Sequence, residues 1–273
     1  MSTATNIPLS IPGLDESLRL QVHDSRDQVI SQRLRETGIW EPFETSLLLD
    51  LLQPGDVFVD VGANLGYFTV LAAARVGDQG CVFAFEPDPD NFALLQANCL
   101  VNGFDQRVWA VRGALAQHDG HGTLYLSEDN LGDHQIFDSS GTRRSHSISL
   151  LNGGDYLGSR TMRVDLLKID TQGSEYAVVA GLMPYLQKLD APPQIIVELT
   201  PWSLRQAGAS GRELIDCLAQ LGQPFWIVDH IEHALAATSA EELAVWCDNV
   251  DGCPGDEGFM NILVGQGIAS ARE

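Results

Sequence analysis

From Asp56 onward the sequence alternates short, continuously apolar runs with longer stretches of helical periodicity. Val57 to Val61 is followed by a helical pattern over about Asn64 to Arg75, and Cys81 to Glu86 by one over about Asp90 to Asn102. Further runs lie near Val108 to Arg112, at Val164 to Asp170 and at Gln194 to Leu199, the last two separated by a helical pattern from about Ser174 to Gln187. A strand that is apolar throughout must be covered on both faces, and a helix after each strand brings the chain back for a parallel neighbour. The alternation therefore predicts an α/β fold, a mostly parallel sheet with helices on both faces. Phe225 to Asp229 and Phe259 to Val264 supply two final strands without a clean long helix between them, which suits an antiparallel pair.

Upstream, apolar residues fall at helical spacing (Val29, Leu34, then Phe43, Leu47, Leu48 and Leu51), broken at Gly38 and Pro42. They predict a helical N-terminal cap over residues 1–53, with the main domain at 54–273. Ser127 to Arg163 is polar, Gly-rich and weak in strand signal. Insertions of that length are commonly functional.

Charge narrows the chemistry. The chain carries 16 Lys+Arg against 37 Asp+Glu, a formal net charge of −21. That excess disfavours nucleic acid, whose binding draws on cations at phosphates. No apolar run approaches the roughly 20 residues that span a bilayer, so a membrane is not expected either. Met1 to Gly13 lacks the basic-then-apolar pattern of a secretion leader, and the five cysteines form no C-x-x-C pair. Both features point to a reducing cytoplasm.

Asp60-Val61-Gly62-Ala63-Asn64-Leu65-Gly66 follows the first strand and begins a helix, where open α/β sheets bind ligands. The spacing is not G-x-G-x-x-G, and an acid stands two residues before the first glycine. Asp60 would repel a pyrophosphate and attract an amino group and a sulfonium, which favours S-adenosylmethionine over a dinucleotide. Glu86 closes the next strand, 20 residues after Gly66, where a carboxylate can accept hydrogen bonds from both hydroxyls of a ribose.

The blocks VDVGANLGYFT, AFEPDPDN, LLKIDTQGSEYAVVAG and IIVEL, in that order, resemble the FkbM-type family of S-adenosylmethionine-dependent methyltransferases. The likeness runs from about Trp40 to Leu199. It implies a class I methyltransferase (Rossmann-like) fold, a seven-stranded sheet whose last strand is antiparallel. It also implies a cofactor site at Asp60, Gly62, Asn64 and Gly66, with Glu86 on the ribose and Asn91 close by.

Asp170 ends the strand of the third block, facing the same crevice, and in related class I folds an acid here touches substrate or a metal. Glu175, just inside the next helix, suits the positive end of its dipole. By the same resemblance the N-L-G-D-H stretch forms a substrate-facing loop. Asn130, Asp133 and Gln172 are thus the candidate substrate-binding residues. His134 is the preferred general base for an acceptor hydroxyl, with Asp170 orienting and Glu198 supporting it. Asp170, Glu198, Asp133 and His134 would suit a divalent cation such as Mg²⁺, but no spacing demands one and a metal is not predicted. The expected activity is O-methylation of a small natural product, a sugar or glycan, or a modified peptide. Two rivals are a non-catalytic cofactor-binding module and a nucleotide-dependent oxidoreductase. The first would predict damage at Asp60, Glu86 or Asp170, and the second a different glycine spacing.

Overall fold

The computed structural model describes residues 5–14, 18–127, 129–138, 141–253 and 255–268. A hairpin of β1 (Thr5–Pro8) and β2 (Arg19–Val22) comes first, then α1 (Ile30–Thr37) and α2 (Pro42–Leu51). The alternating region follows as β3 (Val57–Val61), α3 (Tyr67–Val76), β4 (Cys81–Phe85), α4 (Pro89–Val101) and β5 (Val108–Val111). An excursion comprises β6 (Ala114–Ala116), β7 (Gly120–Tyr125), β8 (Ser145–Asn152) and α5 (Gly153–Gly158). The chain returns to the main sheet with β9 (Leu166–Ile169), α6 (Glu175–Leu186) and β10 (Gln194–Leu199). It continues through α7 (Pro201–Gln206), α8 (Gly211–Ala219), β11 (Phe225–Asp229), β12 (Ala234–Thr238), α9 (Ala240–Gly252) and β13 (Met260–Val264).

The main sheet has the order β12-β11-β13-β10-β9-β3-β4-β5. Parallel pairing joins β10, β9, β3, β4 and β5, while β13 runs antiparallel between β10 and β11. Without β12 this is the class I methyltransferase order with its antiparallel last strand. β12 adds an eighth strand, antiparallel on β11, that the sequence reading did not include.

Strand alternation divides the core. Val57, Val59, Val61, Leu167, Ile169, Ile195 and Val197 face one cluster with α6 and α8, while Phe58, Leu166, Ile196 and Val82 face another with α2, α3 and α4. The N-terminal region is not wholly helical, because the β1–β2 hairpin precedes its two helices. Asn98 of α4 pins that hairpin, accepting from the Gln21 amide at 2.6 Å and donating to the Gln21 carbonyl at 2.9 Å. Ile7, Leu20, Leu34 and Leu47 belong to the same cluster as Phe58, so the expected cap shares the core of the sheet.

The polar stretch between 127 and 163 is also more structured than its composition suggested. β8 and α5 lie within it, and β8 pairs with β6 and β7 in a separate three-stranded sheet. Among the described residues no helix is long and apolar enough to cross a membrane, and all five cysteines are free thiols.

Candidate active site

A cavity of about 380 Å³ opens at the carboxyl ends of β4, β3, β9 and β10. Four adjacent strands are three intervals across, which makes the crevice roughly 14 Å from the β4 end to the β10 end. The excursion covers it with Leu124, Leu131, Ile136 and Ile148, while Ile30 and Trp40 reach it from the N-terminal side.

At the β4 end, Glu86 is buried and each carboxylate oxygen accepts one backbone N–H. Oε2 takes the Asn64 amide at 2.8 Å and Oε1 the Asp88 amide at 2.8 Å. One acceptor site per oxygen remains available to a ligand. Burial outweighs these donors and pushes the Glu86 carboxyl up to about 8. Asn64 makes the turn with left-handed backbone, φ 51°, which asparagine tolerates better than most residues. Gly62, at φ 85°, is required by contact as well, since a Cβ there would overlap the Asp170 carbonyl oxygen. Asp88 caps α4 by accepting the Asp90 and Asn91 amides, which places Asn91 at the cavity wall. The Asn91 side chain donates to the Leu131 carbonyl at 3.0 Å and meets His23 Nε2 at 2.6 Å, joining excursion, α4 and N-terminal segment.

At the β9 and β10 end, charges are packed closely. Lys168 is almost fully buried, with Nζ 3.0 Å from Asp170 Oδ2, 3.5 Å from Glu44 Oε1 and 4.6 Å above the Phe68 ring. Burial opposes its charge, but Asp170, Glu44, Glu41 and Asp60 prevail and hold the ammonium well above the ordinary lysine range. Burial likewise pushes Asp170 upward, and the Lys168 charge overrides it, leaving this carboxyl below its usual value. Gln172, in left-handed backbone at φ 52°, donates through Nε2 to Asp170 Oδ1 at 2.9 Å and Glu198 Oε2 at 2.7 Å. Burial, then the charge of Asp170, drives the Glu198 carboxyl well above the ordinary carboxylate range. Glu175 turns back on its own turn, accepting from the Thr171 and Gly173 amides, and serves as a cap.

Gly62, Asn64, Glu86, Asn91, Asn130, His134, Asp170, Gln172 and Glu198 therefore line one cavity, and three expected residues do not. Asp60 shares the β3 face of Phe58, is buried under α3 and accepts from Thr69 Oγ1 at 2.5 Å. Its carboxyl, raised by burial to about 6, is a strut behind the glycine turn. Gly66 begins α3, where a Cβ would collide with Leu95 of α4, so it serves helix packing. Asp133 turns away to pair with Arg143 at 2.7 Å.

His134 lines the cavity but is already engaged. Its Nδ1 accepts the Ser127 amide at 3.1 Å, so the neutral ring carries its proton on Nε2, 3.9 Å from Asp88 Oδ2. Burial lowers its pKa despite the pull of Asp88. Among the described residues no group of three or more His, Cys, Asp or Glu side chains is arranged to hold a metal ion. Lys168, Glu41, Glu44 and Phe68 were not anticipated. A lysine inside an apolar strand was the available signal for the first, since a buried ammonium requires partners.

The model of the FkbM methyltransferase domain matches residues 60–225. The chain belongs to this family. Its relatives include the hexuronic acid methyltransferase AglP of Haloferax volcanii, 28% identical over 155 residues covering 56% of this chain and 59% of that protein. The 31-O-demethyl-FK506 methyltransferase FkbM of Streptomyces tacrolimicus is 31% identical over 163 residues, 48% of this chain and 61% of that one. The chain thus spans about three fifths of the length of these relatives. The crystal structure of methyltransferase FkbM from Methylobacillus flagellatus KT covers 77% of this chain and 43% of its own, at 12% identity and a TM-score of 0.46.

Proposed function

We propose that the protein transfers a methyl group from S-adenosylmethionine to a hydroxyl oxygen of a small, polyhydroxylated acceptor. The observation that carries this reading is a single crevice with a ribose-type acceptor, Glu86, at one end and a cluster of carboxyls around Asp170 at the other. The donor set fits the cofactor. Glu86 retains acceptor capacity for two hydroxyls, Gly62 and Asn64 line the crevice beside it, and the carboxyls of Asp170 and Glu198 at the far end favour a sulfonium. When bound there, the cofactor supplies an electrophilic methyl carbon.

The remaining work falls to the chain. Gln172 ties Asp170 and Glu198 together through its Nε2, which fixes both carboxyls beside the acceptor. The apolar excursion residues exclude water from the reacting oxygen, and orientation of the acceptor lowers the barrier. We assign His134 to holding the loop, because its one neutral lone pair is already used. A sugar-like acceptor is supported by the hexuronic acid methyltransferase among the relatives, and a hydroxyl oxygen by the 31-O enzyme.

Calorimetry with S-adenosylhomocysteine and with NAD tests the cofactor. Mass spectrometry after incubation with hexuronic acids, hexoses and hydroxylated peptides then tests the acceptor. Binding of NAD without S-adenosylhomocysteine would overturn the reading.

A further inference from the structure

Glu41 belongs to no motif and lies outside the stretch that matches the family, residues 60–225. It precedes α2 in left-handed backbone, φ 42° and ψ 70°, a conformation unfavourable for a residue with a side chain. The residue lines the central cavity together with Trp40, Tyr67, Lys168 and Glu198. Among the described residues no hydrogen bond or ion pair engages its carboxylate. Of the other cavity carboxyls, both oxygens of Glu86 and of Asp170 already hold a donor each, and Glu198 Oε2 accepts from Gln172.

Burial, and then the charge of Glu44, raises the Glu41 carboxyl to about 8, with Lys168 opposing and Asp170 reinforcing the shift. Tyr67 and Glu198 also lie within reach of its charge. A carboxyl of that strength exchanges a proton near neutrality, where a general base is most effective. Glu41 also lines a second pocket, of about 330 Å³, with Gln28, Gln32, Arg33, Glu36 and Trp40. It stands where the inner crevice meets an outer groove of amide, guanidinium, carboxylate and aromatic groups.

We propose that Glu41 is the general base that accepts the acceptor hydroxyl's proton, and that the rest of the acceptor extends into the groove between α1 and Trp40. This rests on the methyl-transfer reading above. In the step, the acceptor O–H bond breaks toward Glu41 while the hydroxyl oxygen's electron pair forms the new O–C bond. The electron pair of the breaking C–S bond stays on sulfur as a neutral thioether, and Glu41 then releases its proton to water.

Glu41→Gln keeps the shape and removes the charge, and Glu41→Asp keeps the charge. One readout is independent of turnover: the affinity of sinefungin, whose amine stands where the cofactor carries its methyl, relative to S-adenosylhomocysteine. Glu41→Gln should leave S-adenosylhomocysteine affinity unchanged and remove about tenfold of the preference for sinefungin, between the bulk-water and protein-surface limits for one charge pair. Transfer to the hexuronic acid and hexose panel should fall by roughly 10²-fold or more, with loss of the rise in rate toward pH 8, and Glu41→Asp should restore part of both. An unchanged sinefungin preference in a folded variant overturns the assignment. Joint loss of S-adenosylhomocysteine binding and melting temperature in both variants marks a helix-capping role and overturns it too. Wild-type protein that binds no S-adenosylhomocysteine overturns the methyl-transfer reading itself, and the role of Glu41 with it.

Discussion

Replacing Lys168 with methionine removes a buried ammonium from between two carboxylates and leaves its neighbours intact. Nζ lies 3.0 Å from Asp170 Oδ2 and 3.5 Å from Glu44 Oε1, and the lysine and Glu44 side chains are 5% and 1% exposed. Removing one partner from so enclosed a pair strands the other charge, at a cost of about 3–5 kcal/mol. At ~2–4 °C per kcal/mol for a chain of this size, the melting temperature should drop by roughly 6–20 °C near pH 8. The loss should shrink near pH 5, where carboxyls freed of the cation can take up protons and need no partner. Adding Asp170→Asn to Lys168→Met should recover part of it, because the two residues share one interaction. Calorimetric melting of the two single variants and the double variant, at both pH values, measures the coupling. A penalty below about 1 kcal/mol, or one that does not change with pH, would refute the claim that this ammonium is held by the buried Glu44 and the partly buried Asp170.

Gly62→Ala places a methyl group on the Asp170 carbonyl oxygen, so the β3 and β9 turns must separate. A stability loss of about 1–3 kcal/mol and weaker S-adenosylhomocysteine binding are expected, and normal melting and affinity would show that the turns do not touch. The ligand-free protein should lose stability as pH rises from about 4.5 to 8. Glu41 and Glu86 keep their protons to about 8 when folded against 4.5 in the free side chain, and Asp60 to about 6 against 3.8, so the folded chain binds more protons in that window. His134, with its lowered pKa, opposes this near 6.5. A melting temperature that climbs steadily across the window, or a Glu86→Gln variant with an unchanged slope, contradicts the assignment.

The legible parts of the fold were those buried on both sides. β3, β4, β9 and β10 read as unbroken apolar runs because helices cover each face, and their order along the chain already implied the parallel sheet. β7 and β8 were hidden because their sheet buries little: Leu124 and Ile148 point inward, while Gly120, Ser145, Ser147 and Ser149 are exposed. β1 and β2, at four residues each, are too short to show a period. In the site, Glu86 and Asp170 could be placed because both follow the last residue of a parallel strand. Asp60 lies off the cavity wall because the alternation that puts Val59 and Val61 on one face puts Asp60 with Phe58 on the other. Glu41 carried no signal. Its direction is set by a left-handed backbone before a proline, which no hydropathy pattern records.

The amide of Asn261 in β13 donates to Glu44 Oε2 in α2, across 217 residues of sequence. Asn261 also sits opposite Glu198 in the sheet, and Glu44 lies against Lys168. An early helix and a late strand are thereby stitched together directly beneath the crevice, by groups that cannot part without leaving polar atoms dry and unpaired. Fraying of either element therefore disturbs the other, although they stand near opposite ends of the described chain. Excised alone, the portion 60–225 would carry the lysine without its glutamate and the crevice without part of its floor. Local fold signature and working site are therefore different lengths of chain, and any shortened version must keep both stitching residues.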